Sequence, residues 1–163
     1  MLNINLIDKT LLVQELEDSR YMNSEFRFLK QLHAKQKGKR YEEITACVLV
    51  NLGHTVSKPT STDHDRIVDG LKVEIKGSCL NKGTNHFSFL QIRPDQEYDE
   101  IMFSMFYPDG LVIMKMTKEK VLNAIRAGVF KKQHGGNKAN SGTFMYYGDH
   151  NSLANLGAVE ITE

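Results

Sequence analysis

Apolar residues in the stretch 22–36, "MNSEFRFLKQLHAKQ", fall at Phe26, Leu29 and Leu32 with His33 beside them, the spacing of one helix face. Ser24 stands where an N-cap belongs. A second helical pattern runs from about 39 to 52, with Ile44, Val48 and Leu52 on one stripe and Gly53 as its stop. Beyond it the period changes. A short strand is expected near 54–58, broken by Pro59 and the polar run "TSTDH", and two β-rich runs then flank Asp69-Gly70, a strong hairpin signal. "HFSFLQIR" and "YDEIMFSMFY" read as strands, the second so continuously apolar that burial of both its faces is expected. "PDG" turns the chain into "LVIMKM", and Thr117 is placed to cap a helix, "KEKVLNAIRAG", whose Val121, Leu122 and Ile125 point inward. A polar loop over 131–142 leads to a last strand, "TFMYY". This order, without an internal repeat, predicts an α/β (α+β) fold built on a mixed β-sheet flanked by helices.

The hairpin carries more than a turn. A type I′ turn needs positive φ at both central residues, which Asp-Gly tolerates, so a two-residue loop at 69–70 fixes the register of residues 65–77. Val68 then faces Leu71, and Asp65 faces Glu74. Alternation sends Val68, Leu71, Val73 and Ile75 to one face and Asp65, Ile67, Lys72, Glu74 and Lys76 to the other. The first set has a core to cover. In the second, two carboxylates stand with Cβ atoms about 4.5–5.5 Å apart, which destabilises the pair unless positive charge lies between them. Lys76 is roughly 7 Å along the strand from Glu74 and reaches the same spot. Mg²⁺ resolves the conflict, because it prefers oxygen, keeps several waters and is held by one or two carboxylates plus substrate phosphate. A backbone carbonyl, that of Ile75, can complete the protein's share. Water on such an ion becomes more acidic, and an adjacent amine can orient it or take its proton. That is a phosphodiesterase in outline. The competing reading is of exposed strand charges paired with neighbours such as Lys72.

Composition narrows the setting. A chain of 163 residues, 40% apolar and 25% charged, has the size and make-up of one globular domain. The opening "MLNINLIDKTLLVQELEDSR" carries acids where a signal peptide needs a basic start, and no apolar stretch approaches the ~20 residues of a membrane span, so cytoplasm is the expected compartment. Cys47 and Cys79 make neither a disulfide framework nor a zinc site; both read as reduced, Cys47 as a small core residue. The net charge of +1 hides a segregation. Arg27, Lys30, Lys35, Lys37, Lys39 and Arg40 form one acid-free run, and Arg126, Lys131, Lys132 and Lys138 another, while acids gather at 8–25 and 95–109. Such runs are either solvated faces or contacts for a polyanion.

Asp65, the turn "RIVDGLK" and Glu74-Ile75-Lys76 resemble the acid, turn and E-x-K arrangement of the PD-(D/E)XK nuclease superfamily, the restriction-endonuclease-like fold, with the match covering roughly residues 38–115. His64 stands where the superfamily has the proline of its Pro-Asp pair. The resemblance implies Mg²⁺-dependent hydrolysis of DNA, with Mn²⁺ as a substitute, leaving a 5′-phosphate and a 3′-hydroxyl. It implies that Asp65 and Glu74 hold the ion and that Lys76 positions or activates the attacking water. It also implies a helix glutamate that reaches the metal through water, Glu42 or alternatively Glu43, and in some branches a strand glutamine, here Gln91. On this reading a single nuclease domain has its catalytic core at about 38–115, an N-terminal helical segment at 1–37 and a C-terminal basic loop and strand at 128–163.

DNA contacts are expected from Lys39 and Arg40, and from "GSCLNKGTNH" with its Ser78, Lys82 and Asn85. A third source is the loop holding Lys131, Lys132, His134, Asn137, Lys138, Asn140 and Ser141. There glycines let backbone approach phosphate, amides suit adenine edges, and lysines suit phosphate or guanine. The same loop also reads as a solvated connection. Tyr146 and Tyr147 are candidates for stacking on bases, with one of the two taken up by the core. The leading expectation is a site-specific endonuclease, of restriction, phage or mobile-element type, acting on double-stranded DNA as a homodimer or higher homo-oligomer. The alternatives are a junction-resolving or repair nuclease, a catalytically inactive DNA-binding protein of the same fold, and an unrelated α+β interaction domain.

Overall fold

The structure, a computed structural model, describes residues 18–133 and 142–162. In chain order, helices α1 (Arg27–Gln31) and α2 (Ala34–Asn51) precede strands β1 (Val56–Ser57), β2 (Arg66–Val68) and β3 (Leu71–Cys79). Strands β4 (Phe87–Ile92), β5 (Glu100–Tyr107) and β6 (Gly110–Thr117) lead to α3 (Lys118–Arg126). Then come β7 (Lys131–Lys132), β8 (Phe144–Gly148), α4 (His150–Asn155) and β9 (Val159–Glu160). A six-stranded sheet has the order β1-β2-β3-β5-β6-β9, with β3 and β5 parallel and its other pairs antiparallel. This is the expected mixed sheet flanked by helices. A second, antiparallel sheet, β4-β8-β7, was not expected.

The hairpin forms in the register its turn dictates. Asp69 and Gly70 have φ of 49° and 86°, and the pairs are Val68↔Leu71, Ile67↔Lys72 and Arg66↔Val73. Asp69 does further work for the turn, its carboxylate accepting from Thr55 N–H at 2.9 Å and pairing with His54 Nδ1 at 2.7 Å. Six consecutive buried residues, Ile101 to Phe106, make β5 the centre of the molecule. One face meets the second sheet and its neighbours, Phe103 packing on Phe89, Phe130 and Tyr146. The other meets α2, where the Thr45 hydroxyl lies 2.7 Å from that of Ser104 and the Tyr41 ring 4.8 Å from that of Phe106.

Several local expectations are corrected. The helix read over 22–36 is interrupted, since Leu32 and His33 are extended with ψ of 146° and 152°; α2 therefore starts at Ala34, ahead of its expected beginning. Its buried stripe is Tyr41, Thr45 and Leu49, flanked by the half-buried Ile44 and Val48. A threonine fits the core there because Tyr41 O and the Ser104 hydroxyl satisfy its own hydroxyl. Cys47 lies off that stripe and is exposed, and Leu71 is exposed at the hairpin tip. In α3 the buried positions are Val121 and Ala124, with Leu122 and Ile125 half-buried, and Thr117 occupies the N-cap without a side-chain capping bond. The start of the expected loop forms β7, and α4 and β9 follow the last strand that was read.

Candidate active site

Strand β2 ends its pairing at Arg66↔Val73, whereas β3 continues to Cys79, so β3 has a bare edge from Glu74 onward on the β2 side. Asp65 sits at the corner. Its N–H donates to Val73 O at 2.9 Å, and its Oδ2 accepts from Ile75 N–H at 2.7 Å, standing in for the strand that has stopped. In an antiparallel ladder the N–H and C=O of one residue share an edge, so the Ile75 carbonyl opens onto the same bare edge. Glu74 and Lys76 lie on the opposite face of β3 from α2, with Lys76 Nζ 2.6 Å from Glu74 Oε1. The Asp65 carboxyl lies near enough to that of Glu74 to disfavour its ionisation. Lys72 is taken by Glu97, which leaves Glu74 to Lys76 and removes the competing pairing.

Crowding and burial set the electrostatics. Glu74 is only 8% exposed. Burial pushes its carboxyl up to about 7 against the pull of Lys76, with Asp65 adding to the push. Glu42 on α2 is lifted to about 7 as well, by burial and then by Asp65, against Arg66 and Lys76. Arg66 Nη1 is 3.9 Å from Glu42 Oε2. Of the two adjacent helix glutamates, Glu43 pairs with Arg40 at 2.8 Å and with Lys39 at 4.0 Å, and Glu42 is the one that lines the site. Helix α2 reaches this close because Gly77 follows Lys76: a Cβ there would lie inside the Tyr41 ring.

These groups line a cavity of about 1070 Å³. Lys30, Lys35, Lys37 and Lys39 contribute its basic side, and Ser78, Ser88, Leu90 and Gln91 another. Gln91 lies on the strand that follows the E-x-K segment, in an irregularity between Phe89 and Ile92, with φ of 55°. Positive φ at a non-glycine residue is a strained arrangement that clusters at functional sites. The Ser78 hydroxyl donates to Cys79 O and accepts from Ser88 N–H.

The other expected contacts divide. Lys39 lines the cavity, but Arg40 is held by Glu43 outside it. Lys82 and Asn85 are exposed in the turn after β3, where Asn81 lines the cavity instead. Lys131 and Lys132 form β7 at the edge of the second sheet, and His134, Asn137, Lys138, Asn140 and Ser141 lie outside the described residues. Tyr146 is buried and Tyr147 is 51% exposed. Sequence reasoning did not single out Arg66, whose only signal was its place next to Asp65. His64, marked in the sequence only as standing in place of a proline, is 3% exposed, and its Nε2 accepts from Thr60 N–H at 3.2 Å and so folds the loop that delivers Asp65.

The donor set fits Mg²⁺. Among the described residues no group of three or more His, Cys, Asp or Glu side chains is gathered closely enough to hold an ion alone. Two neighbouring carboxylates and a carbonyl on a bare strand edge suit a cation that takes its remaining oxygens from water and phosphate.

No protein-family profile matches the chain, and no curated protein does. Among solved structures it is similar to a bacterial homing endonuclease, I-Ssp6803I, at a TM-score of 0.47 and 15% identity, over 72% of this chain and 76% of that one. Among the described residues no helix is long and apolar enough to cross a membrane.

Proposed function

We propose that this protein is a Mg²⁺-dependent DNA endonuclease of the PD-(D/E)XK kind, hydrolysing phosphodiester bonds in double-stranded DNA at specific sites. The observation that carries this reading is the meeting of Asp65, Glu74 and Lys76 at the bare edge of β3, with Nζ 2.6 Å from the Glu74 carboxylate, in a cavity with lysines on another side. Asp65, Glu74 and the Ile75 carbonyl would hold the ion. Once bound, the ion draws charge off the scissile phosphate and lowers the pKa of the attacking water. Lys76 orients that water and offsets charge developing on phosphate, Glu42 reaches the site through water beside Arg66, and Gln91 faces the cavity from β4. The lysines of α1 and α2 hold the flanking backbone, so the protein's work is placement and electrostatics. Cutting both strands needs two such sites, and the reading includes a homodimer.

Purified protein is incubated with supercoiled plasmid and with a branched DNA, in Mg²⁺, Mn²⁺ or EDTA, beside Lys76→Ala and Asp65→Ala. Metal-dependent cutting is expected, lowered by roughly a hundredfold or more in each variant. Cutting confined to the branched DNA would replace site specificity with structure selectivity. DNA binding without cutting by the wild type would make this an inactive relative, and neither activity would return it to the interaction domains. Sedimentation at assay concentration checks the dimer.

A further inference from the structure

The second sheet has one face in the core and one in solvent. Phe87, Phe89 and Tyr146 take the core side, so the pairings Ser88↔Tyr147 and Lys131↔Met145 set Ser88, Leu90, Tyr147, Met145 and Lys131 on the outer side. Leu90 and Tyr147 are 49% and 51% exposed there. Strands β4, β8 and β7 contain no carboxylate, although the chain has 20 acids. The face also runs into the active cavity, whose wall includes Ser88, Leu90 and Gln91. At that junction the ladder is broken, and Gln133 Oε1 accepts from Gln91 N–H at 2.6 Å, supplying the bond that the irregularity removes. Irregularities of this kind re-aim side chains.

We propose that this outer face reads base edges in the major groove of duplex DNA, which rests on the nuclease reading and names how its site is addressed. Adjacent strands lie about 4.8 Å apart, so a pair such as β4–β8 fits a groove about 12 Å wide. Ser88 and Gln91 bring a hydroxyl and an amide to base edges, and Leu90 and Tyr147 bring apolar surface to thymine methyls. Lys131 and Lys132 fall on the sheet edge, where the strand backbone beside the groove passes. A second copy of this chain is a poorer occupant, since a two-fold contact would set the same acid-free, lysine-edged face against itself.

The test selects sequences from a random duplex pool in EDTA with the full chain. Wild type is expected to enrich a defined sequence, and methylating that sequence's purines in the major groove should weaken binding. Ser88→Ala and Tyr147→Ala, with far-ultraviolet circular dichroism and melting like wild type, should lose roughly ten- to a hundredfold in affinity for that sequence while keeping their affinity for random duplex. Lys131→Gln should weaken all sequences alike. Lys76→Ala should keep the sequence preference and lose cutting. A pool without enrichment, variants that select as wild type does, or loss of self-association in place of sequence preference would each overturn the proposal. The nuclease reading is decided separately by Mg²⁺-dependent cutting: preference lost in the sheet variants without any cutting by wild type upholds the face and sinks the enzyme.

Discussion

Glu74 decides the charge balance of the site. With its carboxyl and that of Glu42 both lifted from 4.5 to about 7, the folded protein holds protons in that window that the unfolded chain has released. The unfolded state binds fewer protons there, so stability falls as pH rises from the ordinary carboxyl value through about 7. Without divalent cations, the melting temperature is expected to be higher near about pH 5 than near about pH 8, and Glu74→Gln should flatten that slope. Mg²⁺ should raise melting at the higher pH and do little at the lower, where it must displace protons to bind. Differential scanning calorimetry across pH, with and without Mg²⁺, checks this; a wild-type slope unchanged in Glu74→Gln sinks it. The hairpin register that brings Asp65 toward Glu74 was legible in the sequence because a two-residue turn fixes register locally, although the ladder itself stops one pair short, at Arg66↔Val73. The choice of Glu42 over Glu43 was not, because adjacent helix residues differ only in which way the helix is rotated against the sheet, and distant contacts set that.

Those contacts run through one close approach between α2 and β3. Gly77 leaves room for Tyr41, whose hydroxyl donates to Cys79 Sγ at 3.5 Å and whose ring packs on Phe106. Adding a methyl forces ring and strand apart where neither is a flexible chain end. Gly77→Ala is expected to cost about 1–3 kcal/mol or more, read as a lower urea midpoint at unchanged m-value. Because Glu42 follows Tyr41 in the same helix, cutting should fall further than the loss of folded protein explains, and equal losses would unlink α2 from the site. At this scale the sequence spoke clearly where an element closes on itself: the Asp-Gly hairpin, the apolar β5, the turn into β6. It was silent on the extended pair Leu32–His33, which local propensity does not mark, and on the second sheet, whose β4–β8 pairing joins segments far apart in the chain. The bare edge of β3 was hidden for the same reason, since it depends on where β2 stops.

Across the whole molecule the charges nearly cancel at +1, yet apart from Lys76 the cavity draws its lysines from one acid-free run of sequence folded against the carboxylates of β3 and its neighbours. Lys35, Lys37 and Lys39 line the same cavity as Asp65 and Glu74, so on the nuclease reading they would offset the repulsion between those carboxylates and a phosphate backbone. Affinity from such contacts comes from releasing counterions, so binding should weaken steeply as salt rises, independent of sequence. Replacing Lys35, Lys37 and Lys39 singly with Gln should reduce the slope of log affinity against log salt by about 0.9 each on duplex DNA, or about 0.7 each on a single strand. Lys30 should contribute less, because its ammonium already donates to Leu80 O at 2.9 Å. Fluorescence anisotropy over a salt series separates the cases: a slope that the three substitutions leave unchanged makes these lysines a solvated helix face, and the cavity loses its claim to a polyanion.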